Sequence, residues 1–369
     1  MESLLQAVAE KKLQEENQLS DVDKELLELI KQQMAKIRVI GVGGAGCNTI
    51  NRIRELGIEG AELIAVNTDA QDLLATKADK KILIGKKLTR GLGAGSNPKI
   101  GEQAAREQED EIKKVLEGTD LLFLTAGLGG GTGSGAAPVI AELAKKMDIL
   151  TIAVVTLPFK LEGSHRWQNA MEALAKIEGN VDALIVIPND KLLEIAPNLP
   201  INLAFKLADE ILANAIKNLT EVINKTGLVN IDFADIRTII KDSGYSLIGF
   251  GEADGNDRAK RAVEQALNNP LIDADPKGAE RALLHIIGGK DFTLQEAEEV
   301  LKYLHENLAE DAKLIWGAHI DNNLDSKIKV MIVLAGVKSK YVEKLQEQYY
   351  NLKKPSAKKD DNLGIEFID

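Results

Sequence analysis

The 369-residue chain has one cysteine, Cys47, which excludes an internal disulfide and fits a reducing compartment. It also lacks a basic excess: 46 Lys and Arg stand against 57 Asp and Glu, a formal net charge of −11. Duplex nucleic-acid binders need cations to displace phosphate counterions, so no nucleic-acid partner is expected. A nucleotide ligand stays open, because backbone N–H groups can hold its phosphates. No apolar run approaches the roughly 20 residues of a membrane helix, so direct membrane insertion is not expected. The opening MESLLQAVAEKKLQEENQ is charged throughout, unlike a secretory signal, and a cytoplasmic location is expected. There is no internal repeat. No GxxxxGK[ST] stretch occurs, which sets aside the P-loop NTPases. The histidines at 165, 285, 305 and 319 are scattered without metal-ligand spacing, so they are assigned to structure or surface and no protein metal site is expected. Trp167 and Trp316 need no role beyond packing.

What is present is 44% apolar, enough for a sizeable core. Residues 1–35 carry apolar positions at helical spacing and read as an added helical extension. Over 36–202, short apolar strands alternate with helices: 37–42, 63–68, 81–85, 121–127, 150–158 and 183–189. Such runs imply a doubly wound parallel sheet covered on both faces, with ligands beyond the carboxyl ends of the strands. A long central helix is expected over 203–226, with a stripe through Leu203, Leu207, Ile211, Ala215, Leu219 and Val222 and an end at Gly227. Residues 227–338 read as a smaller α+β domain with a mixed or antiparallel sheet. Residues 339–369 lose periodicity and read as a flexible tail ending in LGIEFID.

Three glycine-rich stretches each join a strand to a helix. In Gly127-Leu-Gly-Gly-Gly-Thr-Gly-Ser-Gly135, six of nine residues are glycine, an entropic liability unless backbone must approach a ligand. A turn of this kind feeding a helix N-terminus is an anion site, to which Thr132 and Ser134 add hydroxyls. Gly41-Val-Gly-Gly-Ala-Gly46 matches the dinucleotide fingerprint, with Asp69 at the end of the next strand as its acidic partner. The third is Gly91-Leu-Gly-Ala-Gly-Ser-Asn-Pro98. Three such loops on one sheet fit a polyphosphate better than a dinucleotide, though an NAD-dependent oxidoreductase remains the alternative from another class. Cys47, beside the first loop, reads as a small packing residue.

GGGTGSG (129–135) resembles the phosphate-gripping signature of the tubulin superfamily. Its companions stand in the order found in the FtsZ family: GVGGAGCN (41–48), NTDAQ (67–71), GLGAGSNP (91–98), LPFKLEG (157–163), IPND (187–190) and NIDFAD (230–235). The resemblance spans about 36–338 and implies a tubulin/FtsZ-like GTPase that binds GTP or GDP with Mg2+ on the phosphates. Ala45 stands where many FtsZ sequences have glycine. The resemblance implies that Gly43, Gly44, Ala45 and Asn48 line the phosphate and base side of the first loop. Ala94 and Gly95 lie by the γ-phosphate, and Gly130, Gly131, Thr132 and Gly133 hold the α- and β-phosphates. Glu162 contacts the ribose and Arg166 sits near the nucleotide. Asn189 and Asp209 read guanine while Phe205 packs on its ring. A carboxylate can accept the N1–H and N2–H pair of guanine, which adenine lacks, so Asp209 selects GTP; otherwise it is an exposed helix residue.

The resemblance makes 228–236 a catalytic loop, with Asn230, Asp232 and Asp235 completing the nucleotide site of the next subunit in a head-to-tail filament. Carboxylates in such a loop otherwise cap or solvate. A division-ring protein acting at mid-cell is implied, with the tail as docking peptide for a membrane anchor or division regulator. A plasmid-partitioning or cell-shape member of the superfamily is the nearer alternative.

Overall fold

The computed structural model describes residues 35–195, 198, 200–224, 228–269, 276–337, 342–344 and 347. The helical extension expected over 1–35, apart from Ala35, lies outside them, as do Gly227 and all of the tail except 342–344 and 347. The elements below belong to the unit Ile37–Asp369.

In chain order the first half contains β1 (Ile37–Val42), α1 (Gly43–Glu55), β2 (Ala61–Asn67), α2 (Ala70–Ala75), β3 (Lys80–Leu83), α3 (Pro98–Glu107) and α4 (Glu109–Leu116). It continues through β4 (Leu121–Gly127), α5 (Thr132–Lys146), β5 (Leu150–Leu157), α6 (Ser164–Glu178), β6 (Ala183–Pro188) and α7 (Asn189–Ile195). Strands β5 and β6 are buried at every residue, as continuous runs of Val, Ile and Leu require. Alternate side chains go to opposite faces. Ile40, Ile64 and Leu122 join Ile140 of α5 in one core, while Val39, Leu63 and Phe123 enter a second core on the other face. All six strands are parallel, in the order β3-β2-β1-β4-β5-β6. That order reverses between β1 and β4, which opens a crevice beyond their carboxyl ends.

The long helix α8 (Ile201–Asn224) is about 36 Å long at 1.5 Å per residue. Its buried stripe differs from the expected one at the N-terminal end. Ala204, Ala208 and Leu212 are buried, whereas Leu203 is exposed and Leu207 and Ile211 are half-buried. Asp209, next to buried Ala208, lines the crevice.

After α8 come α9 (Phe233–Ile240), β7 (Gly244–Asp254), α10 (Arg258–Leu267), β8 (Arg281–Gly288), α11 (Leu294–Asn307), β9 (Lys313–Ile320) and β10 (Lys327–Ala335). Their sheet is mixed: β7 and β8 flank β10 antiparallel, and β9 joins β8 in parallel. It is not a separate sheet. β7 pairs with β6 from Ala183↔Gly244 to Ile185↔Ser246, so one ten-stranded sheet runs through both halves.

Cys47 is fully buried against Ala65 and Leu73, and burial pushes its thiol up to about 11. Two of the four histidines are not scattered. The β8–β9 register stacks His285 on His319, with ring centroids 4.9 Å apart and Nδ1 of His319 2.9 Å from Nε2 of His285. Sequence spacing could not show a pair created by strand register.

Candidate functional site

At the β1/β4 reversal a pocket opens, lined by Val42, Gly127, Thr156 and Asn189 at or just beyond the ends of β1, β4, β5 and β6. Its floor is two helix N-termini. Helix α1 begins at Gly43 directly after β1, and α5 begins at Thr132; neither has a side-chain cap or an acidic residue in its first turn. Gly43, Gly44, Ala45, Gly130, Gly131, Thr132 and Gly133 all line the pocket. Orphan N–H groups and the positive ends of two helix dipoles therefore converge there, favouring an anion before any basic side chain is counted. By contrast α2, α3, α9 and α11 are capped by Asp69, Asn97, Asp232 and Thr293.

The glycines of 127–135 divide by role. A Cβ on Gly131 would lie 2.8 Å from Asn97 N, on Gly133 2.5 Å from Gly127 O, and on Gly135 2.1 Å from Pro98 O. These positions are glycine because backbone meets backbone within the protein. Gly129 has φ +107°, a conformation unfavourable for other residues. Only at Gly130 would a Cβ meet nothing within 4 Å, so this position alone faces open pocket space. Ala45 is accommodated because its methyl packs on Gly127, where a second Cβ would come within 2.6 Å. Ser134 does not serve as expected. It is buried, lies outside the pocket lining, and its Oγ accepts the N–H of Gly129 at 2.8 Å. Thr132 keeps its place in the lining, its hydroxyl 2.7 Å from that of Thr68.

The other end of the pocket suits a planar ring. Phe205 is 40% exposed yet held edge-on against buried Phe159, with centroids 5.2 Å apart at 85°, leaving a ring face free for stacking. Asn189 is 6% exposed and its Oδ1 is buried without a hydrogen-bond partner. A ligand donor there would remove a cost of about 1–3 kcal/mol. Asp209 shares this wall, and burial pushes its carboxyl up to about 7. Glu162 accepts the N–H of Phe159 at 2.8 Å and pairs with the Arg166 guanidinium; both side chains line the pocket. Thr156 and Pro158 line it too. Their residue types do not mark them in sequence, but their position at the end of an all-buried strand does.

Besides Ser134, four residues expected around the nucleotide stand outside this lining. Asn48 lies in an adjoining cleft that shares Asp209 as a wall. Ala94 and Gly95 belong to the third glycine loop, which rests on Gly131 through Ala94. Asp69 accepts the N–H groups of Gln71 and Asp72 as the cap of α2. Its Oδ1 is thus occupied as a helix cap.

Asn230, Asp232 and Asp235 are not in the pocket. They follow the far end of α8, and from Asp209 to Asn224 alone the helix rises about 22 Å. There Asp232 accepts the N–H of Asp235 at 2.7 Å, and Asp235 accepts that of Asp232 at 3.3 Å, a reciprocal capping box opening α9.

A reversing parallel sheet whose crevice gathers two uncapped helix N-termini beside an exposed aromatic ring has the features of a nucleotide-binding protein outside the P-loop class. Residues 36–197 match the GTPase domain of the tubulin/FtsZ family, and 244–338 match the FtsZ family C-terminal domain. Cell division protein FtsZ 1 of Thermococcus kodakarensis is 56% identical over 333 residues, covering 90% of this chain and 89% of that protein. Its counterpart in Methanocaldococcus jannaschii is 56% identical over 331 residues, or 89% and 91%. An empty FtsZ dimer from M. jannaschii aligns with a TM-score of 0.81 and 57% identity, over 86% of this chain and 93% of that one. CetZ1 from Haloferax volcanii aligns at 0.75 with 26% identity, over 86% and 99%. The chain belongs to the tubulin/FtsZ family, on its FtsZ branch, and the dinucleotide alternative is set aside.

The division of glycine roles is testable. Gly135→Ala should destabilise the fold by about 1–3 kcal/mol through overpacking, seen as a lower Tm. Gly130→Ala should stay within about 0.5 kcal/mol of the parent yet weaken nucleotide binding at least tenfold in direct titration. Equal loss of stability in both would mean that Gly130 is also a packing glycine.

Proposed function

We propose that the protein is a GTP-dependent polymerising GTPase of cell division, cytoplasmic and acting at the division site, which hydrolyses GTP at a site shared between successive subunits. One observation carries this reading. The pocket has what is needed to hold a nucleoside polyphosphate, while the acidic box Asp232–Asp235 stands beyond the opposite end of α8. A single chain cannot bring them together. A second copy stacked head to tail can, and such heterologous contacts repeat into filaments.

In this reading the phosphates lie on the N–H groups of Gly43–Ala45 and Gly130–Gly133, with the Ala94–Gly95 loop over the terminal phosphate. The base stacks on Phe205. Its N1–H and N2–H go to Asp209, and Asn189 satisfies a further polar edge. Glu162, steadied by Arg166, faces the ribose. Mg2+ would arrive with the nucleotide on its phosphate oxygens and would supply charge neutralisation there. From the neighbouring subunit, Asp232 and Asp235 orient the attacking water and Asn230 helps to hold it. Phosphoryl transfer depends mainly on positioning and charge stabilisation, so completing the site by assembly acts as a switch. The tail 339–369 serves as a tether, with its apolar end docking on a membrane-anchor or division-regulator protein.

GTP hydrolysis per subunit should rise above a critical protein concentration, and Asp235→Ala should lower it about 10²-fold while GTP binding persists. Concentration-independent turnover would show each subunit to be catalytically complete.

Binding should also depend on pH. In the free protein Asp209 holds a proton with a pKa of about 7, whereas guanine needs the ionised carboxylate. A proton must therefore leave on binding, and GDP affinity should rise about tenfold between pH 6 and 8 before levelling. Asp209→Asn should flatten the profile in calorimetric titrations. A wild-type profile already flat across that range would remove Asp209 from base recognition.

Removing residues 355–369 should leave polymerisation and hydrolysis intact and abolish anchor capture in pull-downs. Loss of GTPase activity in the truncated protein would contradict the tether role.

A further inference from the structure

The segment bearing Asn230, Asp232 and Asp235 is seated on the core through buried Ile231, Ile236, Ile239 and Ile240, and polar ties at its two ends set its direction. At its start, Val229 and Ala318 exchange both backbone hydrogen bonds, at 3.2 and 3.1 Å, which hangs the chain on β9. At its other end, Nη1 of Arg281 donates to Thr238 O at 3.1 Å and to Lys241 O at 2.9 Å. Arg281 is the first residue of β8, paired in register with Lys313 and Ala335, so its backbone is fixed by the sheet. Helix α9 has only eight residues, and its last carbonyls lack intrahelical partners and carry the negative end of the dipole. A guanidinium there both caps the helix and ties it to the C-terminal strands. Lys241 and Arg237 also reach Asp148, but that side chain is 77% exposed, and ion pairs so open to water hold little; the largely buried Asp182 meets Lys241 at 3.6 Å and the N–H of Asp242 at 3.4 Å, contacts longer than those of Arg281.

We propose that Arg281 is a positioning residue for hydrolysis, setting the angle at which α9 presents Asp232 and Asp235 to the neighbouring subunit's nucleotide. The inference rests on the shared site proposed above. With the Arg281 tie cut, the C-terminal end of α9 keeps its buried isoleucines and its Asp182 contacts, but apolar contacts are non-directional and the angle of the helix is less firmly set. A swing of about 10° displaces the acidic box by about 1 Å, and misplacement on that scale costs about 10²-fold at a catalytic group. Arg281 lies far from the pocket along the same chain, so its loss leaves GTP binding untouched.

The test uses the full-length chain with Arg281→Ala and Arg281→Lys, measuring GTP affinity, polymer yield by sedimentation and steady-state hydrolysis. Arg281→Ala should lower kcat tenfold or more with KM for GTP and polymer yield unchanged. Lysine, which keeps a cationic donor, should restore part of the rate. The defect should also follow the neighbour. Trace Arg281→Ala subunits loaded with labelled GTP and co-assembled into excess wild type should hydrolyse that label at the wild-type rate, whereas trace wild type in excess Arg281→Ala should be slow. An unchanged kcat in Arg281→Ala, or a loss of GTP affinity or polymer that accounts for the slower rate, overturns the positioning role. If Asp235→Ala also hydrolyses normally, the shared site itself has failed, an outcome distinct from Arg281 alone being silent.

Discussion

The nucleotide end of this molecule depends on backbone meeting backbone with nothing between. Gly41 and Gly46, Gly43 and Gly133, Gly101 and Gly131, and Gly135 and Pro98 each approach too closely for a Cβ on the glycine. Because these contacts draw α1, α3 and α5 together, two helix N-termini share one crevice and the third glycine loop rests against Gly131. A chain with a net charge of −11 can thereby offer a strongly anion-attracting spot without concentrating lysine or arginine there. The charge that matters is partial, fixed in direction, and carried by peptide groups that cannot turn away.

Helix α8 organises the other requirement. Its first turns supply Phe205 and Asp209 to the pocket, and its far end leads into the loop bearing Asn230, Asp232 and Asp235. The pocket and the acidic box thus lie towards opposite ends of one long helix. The capping box has two consistent readings, since Asp232 and Asp235 satisfy each other's backbone N–H groups while keeping further carboxylate lone pairs for water. A cap that fixes both side chains is also a good mount for a catalytic pair.

Much of this is legible in the sequence, for identifiable reasons. Continuous apolar strands cannot be anything but buried, and β1 and β4 match the expected 37–42 and 121–127 to the residue. The glycine loops declare themselves by composition. What composition cannot say is why each glycine is there, because packing against another backbone and openness to a ligand leave the same letter. The α8 stripe is displaced by one position at its start, since leucine signals burial more loudly than alanine, and here two of the buried positions are alanine. The His285–His319 stack and the Arg281 tie arise from pairing across strands that lie far apart in the chain. Asp69 has the spacing of a ribose ligand, and only the fold shows it occupied as a helix cap.

The junction of β6 with β7 is only three residue pairs long, yet the apolar layer beneath it does not stop there. The core containing Val39, Phe123 and Ile216 continues without a break through Ile248, Leu283 and Met331. The two stretches that match separate family domains are therefore not separate in their hydrophobic interior. Cutting the chain between them would strand apolar surface on both pieces, so the boundary visible in domain matching is not a seam of independent folding. Cooperativity across it is built into the interior.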